Sequence, residues 1–429
     1  MIGIDDLNVR EQIIPLFDFT RNHFSRELLN SWFENQLVSQ QDIEERQRIL
    51  KVFVANIASL QDFSYSAADF HGAHSIMTDP DLRAYGYREI LKYYRSSSHR
   101  HQIIGDFMHI STFFQEWSRK SIQQLDTSRF PSFYQSELHF IRGFLEELEL
   151  QAPIRCIQRQ KFGLKQVVAL TKFIIEKQRR GHIIRFFESV QRFEVYISVA
   201  RAIHKHGFVF PCMGGTQLDL RQAFHPALDV PVRNNIVASN NVCLLTGPNM
   251  SGKSTLLKTL SICVYLAHLG LAVPAEQASI PFFEHISVMV NHNDDLASGY
   301  SHFMMEIKRV KEVLVRTRRG ETCFAVFDEL FKGTNIDDAM EISKLTIEGL
   351  MQFSSCLFFI STHLHELKKA HVIERGLVDT LYLDCSTETG KPCFTYQVKQ
   401  GWSDIKIGRI LFQLEGLEDL LRKSSGQSL

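Results

Sequence analysis

The residues with the clearest chemical potential form a short glycine-rich stretch in the second half of the chain. Residues 247–255 read GPNMSGKST and fit the pattern G-x-x-x-x-G-K-[ST]. An apolar run, Val242–Thr246, precedes this stretch, and a run with helical character, Leu256–Leu269, follows it. A strand, a glycine-rich loop and a helix in this order direct backbone N–H groups toward one point, where phosphate oxygens bind. The pattern therefore predicts a phosphate-binding loop.

The loop pattern assigns each of its residues to a bound nucleotide. We expect Lys253 to reach the β- and γ-phosphates of ATP, and the hydroxyl of Ser254 to ligate Mg²⁺. The alternative, a chance turn rich in glycine and serine, does not account for the flanking strand and helix. The other predicted ATP-binding residues are Gly247, Pro248, Asn249, Met250, Ser251, Gly252 and Thr255.

Two adjacent acids follow a second apolar run about 75 residues further on, where phosphoryl-transfer chemistry needs carboxylates. Thr322–Phe327 is typical of a strand buried in a parallel sheet, and it ends in Asp328 and Glu329. Open α/β sheets bind ligands at the carboxyl ends of their strands. We therefore expect Asp328 to hold Mg²⁺ through water, and Glu329 to orient and deprotonate the attacking water. The alternative is a pair of surface acids that cap a helix.

A third predicted strand, Cys356–Ile360, is followed by Ser361, Thr362 and His363. A histidine just beyond a strand end can contact the γ-phosphate or position water, so we predict His363 as a second catalytic residue beside Glu329. A lone histidine at this place is usually structural, and that reading is the alternative.

Together these motifs resemble the MutS family of DNA mismatch-repair ATPases, within the larger ABC-type group. The resemblance covers roughly residues 218–417 and includes His225-Pro226. It implies an α/β P-loop ATPase domain at 206–429, with a mostly parallel sheet flanked by helices, preceded by an all-α core or lever domain at 1–205. The matching segments are TGPNMSGKST at 246–255, GLAVPA at 270–275, DDLASGYSHFMME at 294–306, DELFKGT at 328–334 and STH at 361–363.

The resemblance also implies a site completed by a second subunit. Ser301 matches the serine that the family presents to ATP bound in the opposite subunit, and residues 335–338 match a loop at the same interface. A homodimer that opens and closes with ATP turnover is the implied assembly. Two departures stand out: His302 replaces the usual threonine, and Phe331-Lys332 replaces the usual Gly-Arg, so a guanidinium fork becomes a point charge.

Composition limits the other function classes. The 429 residues carry 48 basic and 48 acidic side chains, so there is no overall basic charge of the kind that nucleic-acid-binding proteins usually carry. Local basic clusters such as 155–165 and 177–180 are interpreted as solvated helix faces, with DNA contact as the alternative. The eight cysteines form no C-x-x-C pair, and no apolar run approaches the roughly 18 residues of a membrane span. These features favour a cytoplasmic protein with reduced thiols and no membrane partner.

The first 205 residues predict a mostly helical region, because glycine is rare and apolar residues recur at helical spacing. Candidate helices include 43–60, 138–148, 166–175 and 186–202, with the many phenylalanines as their packing core. Leu28-Leu29, Trp32, Ile43 and Arg46 resemble the start of the MutS core domain, so we expect no mismatch-reading domain before it. Two functions remain open: a DNA-binding dimeric ATPase that acts with repair or recombination proteins, or an ATP-driven protein-interaction switch without DNA binding.

Overall fold

The computed structural model describes residues 4–80, 95–290, 302–386, 392–405 and 407–421. The chain divides into two compact units. The helical unit consists of Ile14–Gln36 and Glu45–Gly207, and the sheet unit consists of Met1–Ile13, Leu37–Glu44 and Phe208–Leu429. None of the helices in the described ranges is both long and apolar enough to cross a membrane.

The first half of the chain forms helices, as its apolar spacing predicts. The predicted stretch 43–60 is the exception, since its α-helix stops at Ala55 and Ile57–Leu60 forms a 3₁₀ turn. Asn56 explains the break, because its side-chain amide donates to the carbonyl of Val52 (2.8 Å) and so competes with continued helix. The helices are α1 (Ile14–Phe17), α2 (His23–Glu34), α3 (Gln40–Ala55), α4 (Ala67–Thr78), α5 (Ser97–Lys120), α6 (Ser132–Glu147), α7 (Gln151–Gln158), α8 (Leu164–Arg179) and α9 (His182–His206).

Aromatic rings make up much of the core of the helical unit around α9. Phe186 of α9 stacks on Phe144 of α6 with ring centroids 4.0 Å apart, and Phe193 meets the ring of Phe53 edge-on at 5.3 Å. Trp117 is fully buried beside Phe193. The phenylalanines were predicted to be packing residues rather than base-stacking platforms, and at these positions they are.

The larger sheet of the sheet unit has six strands in the order β10-β9-β4-β8-β7-β6. Every neighbouring pair is parallel except β9 and β10, which pair antiparallel. The mixed helix and sheet architecture and the mostly parallel sheet agree with the prediction. The strands are β4 (Val242–Thr246), β6 (His285–Met289), β7 (Cys323–Phe327), β8 (Leu357–Ser361), β9 (Asp379–Ser386) and β10 (Cys393–Gln400).

The predicted strands are close to the observed ones. Val242–Thr246 is β4 without change, and β7 starts one residue later than predicted. β8 also starts one residue late, because the N–H of Cys356 is used in a turn to the carbonyl of Phe353 (3.0 Å).

Within the described residues, a smaller sheet and six further α-helices complete the sheet unit. The smaller sheet has the order β1-β5-β2-β3, with β1 (Cys212–Met213), β2 (Leu218–Ala223), β3 (Asn234–Ala238) and β5 (Gln277–Ile280). A core of apolar side chains from α11, α12 and strands β4, β7 and β8 packs one face of the larger sheet. The helices are α10 (Lys253–His268), α11 (His302–Arg318), α12 (Ile336–Leu350), α13 (His371–Glu374), α14 (Gly408–Leu414) and α15 (Leu417–Leu421).

Candidate functional site

The predicted phosphate-binding loop is a turn that joins β4 to α10. β4 is buried over its whole length between β8 and β9. Gly247 (φ 145°) and Gly252 (φ 94°) have backbone conformations that side chains rarely allow. A Cβ on Gly252 would also lie 3.2 Å from the ring of Tyr396, so both space and conformation require glycine at this position. The two glycines let the chain reverse tightly from the sheet into the helix.

The side chain of Lys253 folds back over this turn. Its Nζ donates to the carbonyl oxygens of Gly247 (2.9 Å) and Pro248 (3.2 Å), and it lies 4.0 Å from Oε1 of Glu329. The residue is 6% exposed, and burial lowers the pKa of its ammonium group, against the opposing effect of nearby carboxylates. A buried cation whose other ligands are carbonyl oxygens of a tight loop is well suited to receive an anion.

Ser254, Asp328 and Ser361 come together at the carboxyl edge of the sheet. The hydroxyl of Ser254 donates to Oδ2 of Asp328 at 2.5 Å, and the hydroxyl of Ser361 donates to the other carboxylate oxygen. The backbone N–H of Asp328 donates to the carbonyl of Met289 at the end of β6 (2.8 Å). The predicted magnesium residues, Ser254 and Asp328, are therefore in direct contact. Ser361 of β8 helps to fix the carboxylate of Asp328, and β6 fixes its backbone.

Glu329 is held in an unusual backbone conformation. Its φ is 52°, in the left-handed region that non-glycine residues avoid, and its N–H donates to the hydroxyl of Ser361 (2.9 Å). Such conformations persist where surrounding contacts determine them, and they are common at functional sites. The carboxylate, 13% exposed, accepts from Nζ of Lys332 at 2.7 Å. Neither the role of Ser361 nor this ion pair was predicted; the STH motif was the signal for the serine.

The segment after Glu329 is anchored to the first turns of α11. Phe331 also has a left-handed φ of 64°, and its N–H donates to Oε2 of the buried Glu306 (3.0 Å). A Cβ on Gly333 would lie 3.0 Å from Cβ of Phe303, so only glycine lets the two segments approach this closely. Glu306 had no predicted role, although it closes the motif that runs from 294 to 306. It positions the residues that follow the two acids.

The electrostatics keep Glu329 ionised. Burial raises the pKa of its carboxyl group, but the hydrogen bond and charge of Lys332 lower it, and the charges of Lys253 and His363 add to that effect. The net pKa lies below the usual glutamate value. Lys332 in turn has a raised pKa, chiefly because of the hydrogen bond to Glu329. The carboxylate is therefore ionised at neutral pH, which is the form that a general base requires.

The remaining predicted residues lie around this centre. His363 is exposed two residues after the end of β8 and is near enough for its charge to act on Glu329. Asn249 and Met250 are exposed at the tip of the turn, and Thr255 is exposed on the first turn of α10. Ser251 is 1% exposed, and among the described residues its hydroxyl has no hydrogen-bond partner.

A small apolar pocket of about 190 Å³ opens beside the same turn. Gly252 and Thr255 form one side of it. The other side includes Leu228, which is 48% exposed, and Tyr396. His225, from the predicted His-Pro motif, also lines the pocket, and burial lowers the pKa of its imidazole.

Part of the predicted site lies outside the described residues. Ser301, the residue expected to act in the opposite subunit, is one of these, and so is the side chain of His302. Asn335, from the predicted interface loop, caps α12 by accepting from the N–H of Asp338 (2.9 Å). In the described ranges, no three His, Cys, Asp or Glu side chains are grouped as a metal cluster.

The chain is similar in sequence to known proteins of one family. Residues 243–421 match the family model of MutS domain V. The DNA mismatch repair protein MutS of Listeria welshimeri is 28% identical over 290 residues, which are 65% of this chain and 33% of that protein. MutS of Leuconostoc mesenteroides is 27% identical over 320 residues, 72% of this chain and 37% of its own length. MutS of Bacillus cytotoxicus is 30% identical over 243 residues, 54% and 27% of the two chains.

Residues 243–421 belong to the MutS domain V family. The resemblance drawn from the motifs is thus confirmed, and the matched region contains the turn, both acids and the STH motif. Domain V is the ATPase domain of that family. The matches span about one third of the length of these relatives. The activity and partners of the full-length relatives are therefore proposals for this chain.

Proposed function

We propose that this chain binds ATP with Mg²⁺ in a P-loop domain of ABC type and hydrolyses it to ADP and phosphate. The observation that carries the proposal is the convergence of Lys253, Ser254, Asp328 and Glu329 at one edge of the larger sheet. Each of these four groups has a distinct role in phosphoryl transfer, and the contacts between them show that the four side chains lie close together.

The phosphates would occupy the turn between β4 and α10. The ammonium of Lys253 now rests on two loop carbonyls, and it can exchange them for the more negative β- and γ-phosphate oxygens. The buried hydroxyl of Ser251 offers a further donor. The N-terminus of α10 adds the favourable dipole of a helix start.

The oxygen ligands at this edge fit magnesium. The hydroxyl of Ser254 and the carboxylate of Asp328 are hard oxygen donors, and the 2.5 Å contact between them leaves both facing one place. Mg²⁺ takes few protein ligands and keeps several waters, which agrees with Ser254 as a direct ligand and Asp328 through water. When bound, the ion neutralises charge on the β- and γ-phosphates.

Glu329 is the proposed general base, with His363 as an auxiliary catalytic residue. Its carboxylate lies 4.0 Å from the cation of Lys253, and it is kept ionised by Lys332. From there it can orient a water toward the γ-phosphate and accept its proton as the new oxygen–phosphorus bond forms. The bond between the γ-phosphorus and the β–γ bridging oxygen breaks in the same reaction, and ADP leaves. The apolar pocket bounded by Thr255, Leu228 and Tyr396 is the proposed site of the adenine ring.

At the level of the whole protein, we propose a cytoplasmic homodimer that acts as an ATP-driven switch on DNA. The proposal follows from the relatives, which are named DNA mismatch repair proteins, and from Ser301, the predicted contribution of the second subunit. DNA recognition is proposed to depend on DNA structure or to be non-specific, with repair or recombination proteins as partners. The alternative is a protein-interaction switch without DNA binding, which the zero net charge favours.

Phosphate release from ATP tests the enzymatic proposal. Lys253→Ala is expected to weaken ATP binding and abolish turnover, whereas Lys311→Ala, an exposed lysine on α11, should leave both unchanged. Equal turnover in the two variants would refute the assignment of the phosphate site.

The two whole-protein proposals are separated by DNA binding at two salt concentrations. A DNA-binding protein that neutralises several phosphates loses affinity steeply, by about 10³ or more, between 50 and 200 mM salt. Duplex, single-stranded and branched DNA should be tested with ATP and with ADP. If none of them binds at low salt, the protein-interaction switch is the correct reading. Light scattering should detect a tighter dimer with ATP than with ADP.

A further inference from the structure

The helical unit contains a cavity of about 770 Å³ that the ATPase proposal does not use. Within the described residues, one acidic side chain, Asp62, lines it. Its basic lining residues are Arg21, Arg119, Lys120, Arg201, His204 and Lys205. In a chain with equal numbers of acidic and basic residues, this is a strong local excess of positive charge.

The six basic residues come from separate parts of the unit. Arg119 and Lys120 lie in the last turn of α5, and His204 and Lys205 lie in the last turn of α9. Arg21 comes from the segment before α2. Residues from separate segments thus line one cavity, and their charges are concentrated around one space.

Several of these groups are fixed by the fold. The Nη2 atom of Arg201 donates to the carbonyls of Leu60 (2.9 Å), Gln61 (3.1 Å) and Phe63 (3.0 Å), so it anchors one wall of the cavity. Lys120 donates to the carbonyl of Ser64 in the same wall (3.3 Å). These hydrogen bonds hold the charged groups of Arg201 and Lys120 in the wall of the cavity.

Hydrogen bonds to a buried carboxylate hold the segment that carries Arg21. The backbone N–H of Arg21 donates to the buried carboxylate of Glu194, which also accepts from the side chains of Tyr65 and Asn22. Burial lowers the pKa of Arg201, and the charge of Arg21 lowers it further. The charge of Arg21 therefore acts on the guanidinium group of Arg201.

Counter-charges are scarce in this cavity. In the described part of the chain, Lys120 lies 3.8 Å from the carboxylate of Glu116, whereas no carboxylate lies within ion-pair distance of the side chains of Arg21, Arg119 or Lys205. Glu194, an acid whose charge acts on Arg201, already accepts hydrogen bonds from Arg21, Tyr65 and Asn22. Basic residues at the C-terminal ends of helices complement the helix dipole, but that explanation does not cover Arg21 or Arg201.

We propose that this cavity binds a compact anion that carries two or more phosphate groups, such as a nucleoside polyphosphate or an inorganic polyphosphate. Its volume is in the range of small-molecule sites. A nucleic-acid strand would need positive charge along a path, whereas these charges converge on a single space. Phe19, with Lys205 5.3 Å from its ring centroid, adds an apolar surface to the lining for the uncharged part of a ligand.

The test uses inorganic tripolyphosphate as the probe and the full chain with Lys253→Ala, so that the proposed ATP site does not contribute. Calorimetry should detect one binding site with micromolar affinity that weakens as salt rises. Arg119→Glu and Lys205→Glu are each expected to weaken binding by about tenfold or more. Arg179→Glu is the matched control, because Arg179 is an exposed basic residue in the last turn of α8 and does not line the cavity.

Separate outcomes overturn the proposal. Absence of binding below millimolar concentration refutes it, and so does binding that neither charge reversal weakens. A third outcome is that single-stranded DNA binds, tripolyphosphate does not, and the same charge reversals abolish DNA binding. The cavity would then be part of a nucleic-acid site, and the proposal of a compact polyphosphate ligand would be wrong. Circular dichroism of each variant distinguishes loss of binding from loss of fold.

Discussion

Replacing Glu329 by glutamine removes the proposed general base with the smallest possible change of shape. The amide cannot accept a proton from water at neutral pH, but it retains the size and hydrogen-bonding reach of the carboxylate. The backbone hydrogen bond from Glu329 to Ser361 does not involve the side chain, so the left-handed conformation is retained. The substitution therefore tests chemistry rather than folding.

The expected size of the effect follows from the contacts. Loss of a positioned base costs about 10² to 10⁴ in rate, or about 3–5 kcal/mol in the activation barrier. Binding of ATP should not weaken, because Lys253 loses a competing carboxylate at 4.0 Å and is freer to engage phosphate. Stability should change by about 1 kcal/mol or less, since the partner of the lost ion pair, Lys332, is 57% exposed.

The assay is phosphate release under saturating ATP, combined with a direct measurement of ATP affinity. Glu321→Gln is the matched control, because Glu321 is also ion-paired, to Arg316 at 3.0 Å, but lies at the opposite end of β7. We expect a fall in kcat for Glu329→Gln alone. A kcat within tenfold of the unmodified chain, or an equal fall in the control, would show that the base has been assigned to the wrong residue.

Three further perturbations address parts of the site that the base does not test. Lys332→Gln removes the charge that opposes burial, so the pKa of the base rises and the acid limb of the kcat–pH profile moves to higher pH, whereas Lys332→Arg should preserve the profile. The stability that this ion pair contributes is present above the ordinary glutamate pKa and is lost as pH falls through the depressed one. Gly333→Ala should lower the free energy of unfolding, measured in urea, by about 1–3 kcal/mol, because the added methyl group would overpack against α11. Gly349→Ala, which has free space on α12, should be neutral or stabilising, and equal effects of the two substitutions would contradict the packing argument. Leu228→Asp should weaken ATP binding by about tenfold, whereas the similarly exposed Leu377→Asp should leave it unchanged, and unchanged ATP affinity in Leu228→Asp would exclude the adenine pocket.

The elements that carry the motifs could be predicted because their signals are local. Val242–Thr246 and Thr322–Phe327 are unbroken apolar runs, and such runs are typical of strands covered on both faces. The glycines of the turn and the two acids stand directly after these strands in the sequence. The carboxyl ends of parallel strands lie at one edge, so their meeting follows from topology alone.

The contacts that tune this site could not be predicted, because they depend on which strands become neighbours. β8 lies between β4 and β7, and that order brings Ser361 against both Asp328 and Glu329. Lys332 was recognised only as a departure from the family pattern, although it is the partner of the proposed base. A left-handed backbone at a glutamate has no sequence signal, since local preference argues against it.

The location of basic sites in the folded protein could not be predicted from the sequence either. Runs of basic residues were the visible candidates for anion contacts, but Lys177 of one such run is buried against Glu147, and Arg180 pairs with Glu176. The cavity of the helical unit draws its positive charge from positions as distant as 21, 119 and 201, none of which belongs to a notable run. Net charge is a sum over the chain, whereas binding responds to the local potential. A chain of zero net charge can therefore contain a strongly basic site, once folding separates its acids from its bases.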